Sequence, residues 1–138
     1  MLVNSIEFQV ELGDTDAEGI VFYPKFFRWF DRSTHALLNK LGLQHRQLLG
    51  HYHCAQPVID CGCHFVKAVR NEDHIKIESQ ITEIESRTFR IEHRVFCDRE
   101  LVASGFELRC WVKTDEEGEN GKLKVVPIPQ EIAAKLGS

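Results

Sequence analysis

Two carboxylates stand in a glycine-bounded stretch just ahead of a helix signal: Asp14 and Asp16 lie within Gly13-Asp14-Thr15-Asp16-Ala17-Glu18-Gly19, and Pro24 follows. The first turn of a helix presents backbone N–H groups without partners and a partial positive charge. Such donors polarise a carbonyl and hold an oxyanion as it forms. A free Asp titrates near ~3.9 and is therefore ionised at neutral pH. Beside those donors it either attacks the carbonyl or takes a proton from water. Turn hydrogen bonds and helix capping are the ordinary structural uses of Asp at such a place. Local chemistry does not choose between Asp14 and Asp16.

Other chemistries lack their motifs. The chain contains no GxSxG, no Walker pattern and no dinucleotide-binding glycine pattern, which argues against serine hydrolase, P-loop and Rossmann functions. His51-Tyr52-His53-Cys54 and Cys61-Gly62-Cys63 resemble metal ligands at first sight. Their spacing matches no structural zinc site, so no metal is expected. Cys61 and Cys63 share one face of a strand, which favours packing against a helix.

The elements that position these residues follow from periodicity. Residues 5–12 alternate, with Ile6, Phe8, Val10 and Leu12 on one face of a strand. Residues 13–22 read as a loop. Pro24 suits a first helical turn. Phe26, Phe27, Phe30, Thr34, Leu37, Leu38 and Leu41 then recur at helical spacing until Gly42, a C-terminal cap residue. This predicts one helix of about five turns. Residues 43–57 read as irregular. Residues 58–69, 74–84, 87–98 and 101–113 read as strands, and the short breaks between them require antiparallel neighbours. An acidic loop over 114–121, a last strand through 123–128 and a short helix over 129–137 complete the chain. The expected class is α+β, with an antiparallel curled sheet of five or six strands wrapped around one long helix, in a single domain over residues 1–138.

The bulk properties suit that reading. With 138 residues, 43% hydrophobic and 28% charged, and a formal charge of −4, the chain is sized for one core and carries no basic excess of the kind nucleic-acid binders show. There is no basic leader-like start, no apolar run near the ~18 residues a membrane helix needs, and an odd count of five cysteines with no CxxC. The expectation is a cytoplasmic protein with free thiols and no membrane or nucleic-acid partner.

The stretch Gly13 to Pro24, followed by Arg28-Trp29-Phe30-Asp31, resembles the signature of the 4-hydroxybenzoyl-CoA thioesterase family. Weaker similarity runs through Pro57-Val58-Ile59 to Pro127-Ile128-Pro129. The resemblance implies a hot-dog fold and hydrolysis of an acyl-CoA thioester without a metal or redox cofactor. It also implies a homo-oligomer, a dimer of dimers with its sites at the dimer interface. By position it makes Asp16 the catalytic carboxylate, as nucleophile or as general base, and Tyr23 the residue whose backbone N–H polarises the thioester carbonyl. Asp31 matches the carboxylate that holds the acyl group's hydroxyl; the alternative is an ion pair with Arg28 or His35. Arg87 and Lys124 match basic contacts to the CoA phosphates, against the plainer reading of surface charge. Tyr23-Pro24 and Asp31 favour the aromatic acyl-CoA branch. Gln56, Asp60 and His64 depart from the 4-hydroxybenzoyl pattern, which suggests a differently hydroxylated benzoyl group such as gentisyl. Trp29 is a further candidate for the acyl pocket. Short-chain acyl-CoA and acyl-carrier-protein thioesters are alternative substrates, and a non-catalytic acyl-CoA-binding module is the alternative of another class. A hot-dog hydratase would want a His in the loop, and residues 13–22 contain none.

Overall fold

The computed structural model describes all 138 residues. In chain order the elements are β1 (Val3–Gln9), α1 (Lys25–Lys40), α2 (His45–Gly50), β2 (Cys54–Ala55), β3 (Val58–Phe65), β4 (His74–Ile84), β5 (Thr88–Cys97), β6 (Glu100–Cys110), β7 (Val112–Glu117), β8 (Leu123–Val125) and α3 (Gln130–Leu136). The main sheet is antiparallel, in the order β1-β4-β5-β6-β3. Helix α1 packs on its inner face, giving the wrapped two-layer arrangement that the resemblance implies.

Three stretches differ from expectation for clear reasons. Strand β1 ends at Gln9, and the chain turns through a short 3₁₀ segment at Leu12–Asp14. Leu12 is thus 72% exposed and does not share the buried face of Ile6, Phe8 and Val10. The region 43–57, expected as irregular, contains α2, anchored by buried Leu48. The stretch 101–113 is two strands broken at Trp111. The second of them, β7, forms a separate small sheet in the order β2-β7-β8. The main sheet thus has five strands, within the five or six expected, and the small β2-β7-β8 sheet is an addition to it.

The core comes in two parts laid end to end along α1. Phe26, Trp29 and Phe30 join Val10, Ile75, Ile77 and Val95 at one end. Leu37 and Leu38 join Ile81, Phe89, Ile91 and Trp111 at the other. Period-2 alternation places Ile75, Ile77, Ser79 and Ile81 of β4, and Ile91, His93 and Val95 of β5, on the inner face. Ser79 and His93 therefore fall at the seam between the two clusters. The Phe30 ring reaches the sheet because position 105 is glycine: a Cβ there would run into that ring and into the Gly62 carbonyl oxygen. Helix α1 stops as expected at Gly42, which takes φ +78° while the Leu43 N–H bonds back to the Leu38 carbonyl (2.8 Å) and the Gly42 N–H to that of Asn39 (3.1 Å).

Candidate active site

The segment between β1 and α1 is a closed loop with two arms. Thr15 bridges Val21, and the Phe22 N–H donates to the Asp14 carbonyl at 2.9 Å. At the tip, the Asp16 N–H donates to the Ile20 carbonyl (2.9 Å) and the Gly19 N–H to the Asp16 carbonyl (3.0 Å). Gly19 sits at φ +80°, a conformation glycine adopts without strain. The loop is docked on the rest of the fold by the Val21 N–H, which donates to the Val69 carbonyl at 2.8 Å, and by the Ile20–Arg70 bridge.

This geometry separates the two carboxylates. Asp14 holds the loop together. Its Oδ2 accepts the Glu11 N–H at 2.9 Å, and its Oδ1 lies 4.0 Å from the Lys25 ammonium. Asp16 accepts one turn bond, from the Glu18 N–H to Oδ1 at 2.9 Å, which leaves Oδ2 uncommitted. Asp16 is half-buried at the loop tip.

Helix α1 starts at Lys25, two residues later than a start at Tyr23 would place it. That start leaves Tyr23 outside the helix. The Lys25, Phe26 and Phe27 N–H groups are taken by the carbonyls of Phe22, Tyr23 and Pro24, and Pro24 has no N–H. The Tyr23 N–H has no partner. It is a free donor at the point where the loop enters the helix. An apolar recess of about 290 Å³ adjoins it, lined by Ile20, Tyr23, Phe26, Phe65, Val66 and Val69.

Asp31 lies two turns along α1. Its Oδ1 accepts the Arg109 guanidinium at 2.9 Å and lies 3.4 Å from His35 Nε2. The His35 bond and the Arg109 charge, working against partial burial, hold its carboxyl well below the usual carboxylate range. The His35 pairing is therefore present. The Arg28 pairing is not, and Arg109 takes its place.

Arg109 belongs to a buried polar network that the sequence pattern did not single out. Its Nη2 also donates to Glu107 Oε2 and its Nη1 to the Gln56 carbonyl, each at 2.9 Å. Glu107 Oε1 accepts the Thr34 hydroxyl and lies 3.2 Å from His93 Nε2, while His93 Nδ1 pairs with Ser79 Oγ at 2.7 Å. Phe30 stacks on the His93 ring, with centroids 4.6 Å apart. Burial would raise the Glu107 pKa, but the His93 bond, the Arg109 charge and the Thr34 bond outweigh it and lower it. Ser79, His93 and Glu107 have the connectivity of a hydrolytic triad. With Ser79 and His93 at 1% exposure and Glu107 at 3%, no substrate reaches them, and the set is structural. The sequence signal for it was available: polar residues at inward positions of otherwise apolar strands, such as His93 between Ile91 and Val95.

The remaining candidates divide. Gln56 is buried at 3% exposure, and its side-chain amide has no partner. Arg109 links it to Asp31. Trp29 is buried in the core at 5% exposure, edge-on to Phe8. Asp60 and His64 alternate with Cys61 and Cys63 on β3. Cys63 packs against the helix-side core, so Asp60 and His64 face the outer side of the sheet, away from Asp16. His64 lines a polar groove there with Arg90 and Phe106. Cys61 is exposed rather than packed. Arg87 and Lys124 are exposed at the opposite end of α1 from Tyr23. Arg87 lies in the β4–β5 turn beside Trp111, and Lys124 pairs with Lys113 across β7 and β8. One chain alone does not bring them to Asp16. No three His, Cys, Asp or Glu side chains come together as metal ligands, and no helix is long and apolar enough to cross a membrane.

Comparison with known proteins identifies the family and the fold. Residues 10–136 match the model of the thioesterase-like superfamily. The chain is 27% identical to the 4-hydroxybenzoyl-CoA thioesterase of Pseudomonas sp. (strain CBS-3) over 137 residues, 91% of each chain. It superposes on a gentisyl-coenzyme A thioesterase with a TM-score of 0.83 at 30% identity, over 98% of this chain and 100% of the other. It superposes on a 4-hydroxybenzoyl CoA thioesterase variant complexed with 4-hydroxybenzoyl CoA with a TM-score of 0.87 at 27% identity, over 99% of both. The half-buried loop carboxylate and the free Tyr23 amide thus sit in a chain that belongs to the thioesterase-like superfamily, a thioester hydrolase built on the hot-dog fold.

Proposed function

We propose that the chain hydrolyses an aromatic acyl-CoA of the hydroxybenzoyl type, gentisyl included, to the free acid and CoA. The observation that carries this is the unpartnered Tyr23 N–H on the same closed loop as the uncommitted Oδ2 of Asp16. The amide accepts the thioester oxygen as negative charge develops on it. Asp16 either takes a proton from the water that attacks the carbonyl carbon, or attacks that carbon itself to form an anhydride that water then hydrolyses; in both cases the C–S bond breaks and CoA leaves as a thiolate that takes up a proton. The chemistry needs no metal or redox cofactor. The apolar recess beside Tyr23 suits the uncharged part of such a substrate. Asp31 lies ~12 Å along the helix from Tyr23 at 1.5 Å per residue, a separation that supports a ring hydroxyl as its partner. Similarity to thioesterases for 4-hydroxybenzoyl-CoA and gentisyl-CoA favours an aromatic acyl group over a short-chain one. The five free cysteines suit a cytoplasmic setting.

The site is best completed by a second copy of the chain. Strand β3 is an open sheet edge and carries exposed Val58, Ile59 and Phe65, a surface that antiparallel pairing would cover. Twofold pairing there runs the copies head to tail. It sets the Tyr23 end of one beside the Arg87 end of the other, where a CoA phosphate would meet Arg87 and Lys124. Two such dimers would make the tetramer. Cys61→Pro, in mid-strand, removes a ladder donor. It is expected to give a monomer by sedimentation, with hydrolysis lost. A monomer with full activity would remove the interface from the site.

The substrate is tested by free-thiol release from a panel of acyl-CoA and acyl-carrier thioesters. Highest kcat/KM on hydroxybenzoyl-CoA is expected. Preference for a short-chain or acyl-carrier substrate would replace the acyl assignment, and tight acyl-CoA binding without thiol release would make the chain a binding module. The amide is tested separately. Tyr23→Pro removes the N–H and is expected to lower kcat by ~10²–10³-fold, the scale of one lost oxyanion donor. Tyr23→Phe keeps the N–H and is expected to leave kcat within about twofold of the parent. Equal losses in both would shift the role from the backbone to the phenol.

A further inference from the structure

Arg109 is 4% exposed, yet it ends the buried network on a side chain that is 56% exposed, that of Asp31. The guanidinium is held from the sheet side by the Glu107 carboxylate and the Gln56 carbonyl, both at 2.9 Å. Glu107 is held by Thr34 and His93, and His93 by Ser79 and the face of Phe30. The inner pair Glu107–Arg109 already satisfies its charges. An outer carboxylate is not needed to balance it. What Arg109 adds to Asp31 is orientation: it takes Oδ1, as does His35 at 3.4 Å, and leaves Oδ2 free. Asp31 also lines a groove of about 880 Å³ with Phe8, Lys25, Arg28 and Arg32.

We propose that Arg109 is a positioning residue that sets acyl specificity: it pins Asp31 by one oxygen, so that the other stands as a fixed, ionised acceptor for a hydroxyl on the acyl group and repels a carboxylate there. The inference rests on the thioesterase reading and deepens it. A guanidinium suits this role because its planar fork reaches Asp31, Glu107 and Gln56 together, whereas a lysine ammonium is a point charge on a flexible stem. A site built to bond a substrate hydroxyl discriminates strongly against the analogue without it, because its own polar group is then left unpaired.

The test compares kcat/KM for 4-hydroxybenzoyl-CoA, benzoyl-CoA and 4-carboxybenzoyl-CoA in the parent, Arg109→Lys, Arg109→Met and Asp31→Asn proteins. The parent is expected to prefer the hydroxylated substrate at least tenfold over benzoyl-CoA and to use the carboxylated one least. Arg109→Lys and Asp31→Asn are each expected to cut the hydroxyl preference tenfold or more, chiefly through a raised KM for 4-hydroxybenzoyl-CoA. Asp31→Asn is also expected to improve the carboxylated substrate. Should Arg109→Met fail to fold, Arg109→Lys, which keeps a counter-charge for Glu107, carries the same expectation. A merely structural Arg109 would lower all three substrates in proportion. An unchanged ratio in Arg109→Lys, or a parent that does not discriminate, overturns the positioning role and leaves thioester hydrolysis standing. A parent that hydrolyses none of the three overturns both.

Discussion

Asp16→Asn is expected to fold like the parent and to lose at least about 10²-fold in kcat, the scale of a missing acid–base group. Folding should survive because the turn needs only one oxygen of the side chain: the Glu18 N–H donates to Oδ1 at 2.9 Å, and an asparagine carbonyl accepts it equally well. What the amide cannot do is attack the thioester or take a proton from water. The loss should therefore fall on kcat rather than on substrate affinity. Asp14→Asn is the internal control. Asp14 caps the 3₁₀ turn through the Glu11 N–H and lies beside Lys25, so its variant should cost stability more than turnover. Parent-level turnover in Asp16→Asn, or equal turnover losses in the two variants, would end the assignment of Asp16.

Much of this was legible in the sequence where one residue decides a local conformation. Gly42 ends α1, Gly19 closes the loop tip, and alternation in β4 and β5 names the inner face. The choice of Asp16 over Asp14 was not legible from local chemistry, because both occur in turn-forming company; it came from the family motif. The identity of the free amide turns on a two-residue difference in where the helix begins, and Pro24 masks that difference in the sequence. Arg109 and Glu107 were missed because a charged pair two apart on a strand reads as an outward face until the strand's neighbours are known. Asp60 and His64 were singled out because they depart from the 4-hydroxybenzoyl pattern, and which face of the sheet they take follows only from the strand's register, since one position in a period of two moves a side chain to the other side.

The second large effect is on stability. Glu107→Ala is expected to cost ~3–5 kcal/mol, the range for breaking a buried ion pair from one side, because Arg109 and His93 remain buried without their carboxylate. It should appear as a lower urea midpoint with little change in slope. Replacing Glu107, Arg109 and His93 together by apolar residues of similar volume should cost less than the single change, since no charge is then left uncompensated. A triple variant less stable than Glu107→Ala would mean that the network contributes packing that apolar side chains do not replace. The pH dependence has a definite sign. The folded-state pKa of Glu107 is lowered from its ordinary 4.5, so in the native state the carboxylate binds its proton less readily than in the unfolded chain. Its stabilisation is fully present above about 4.5 and is lost as pH falls through the folded value. The stability gap between the parent and Glu107→Gln should therefore be widest near neutrality and close progressively below pH ~4.5. A gap that stays constant between pH 7 and pH 3 would show that Glu107 acts by shape and hydrogen bonding rather than by charge. It would also remove the electrostatic reason for burying Arg109 behind Asp31.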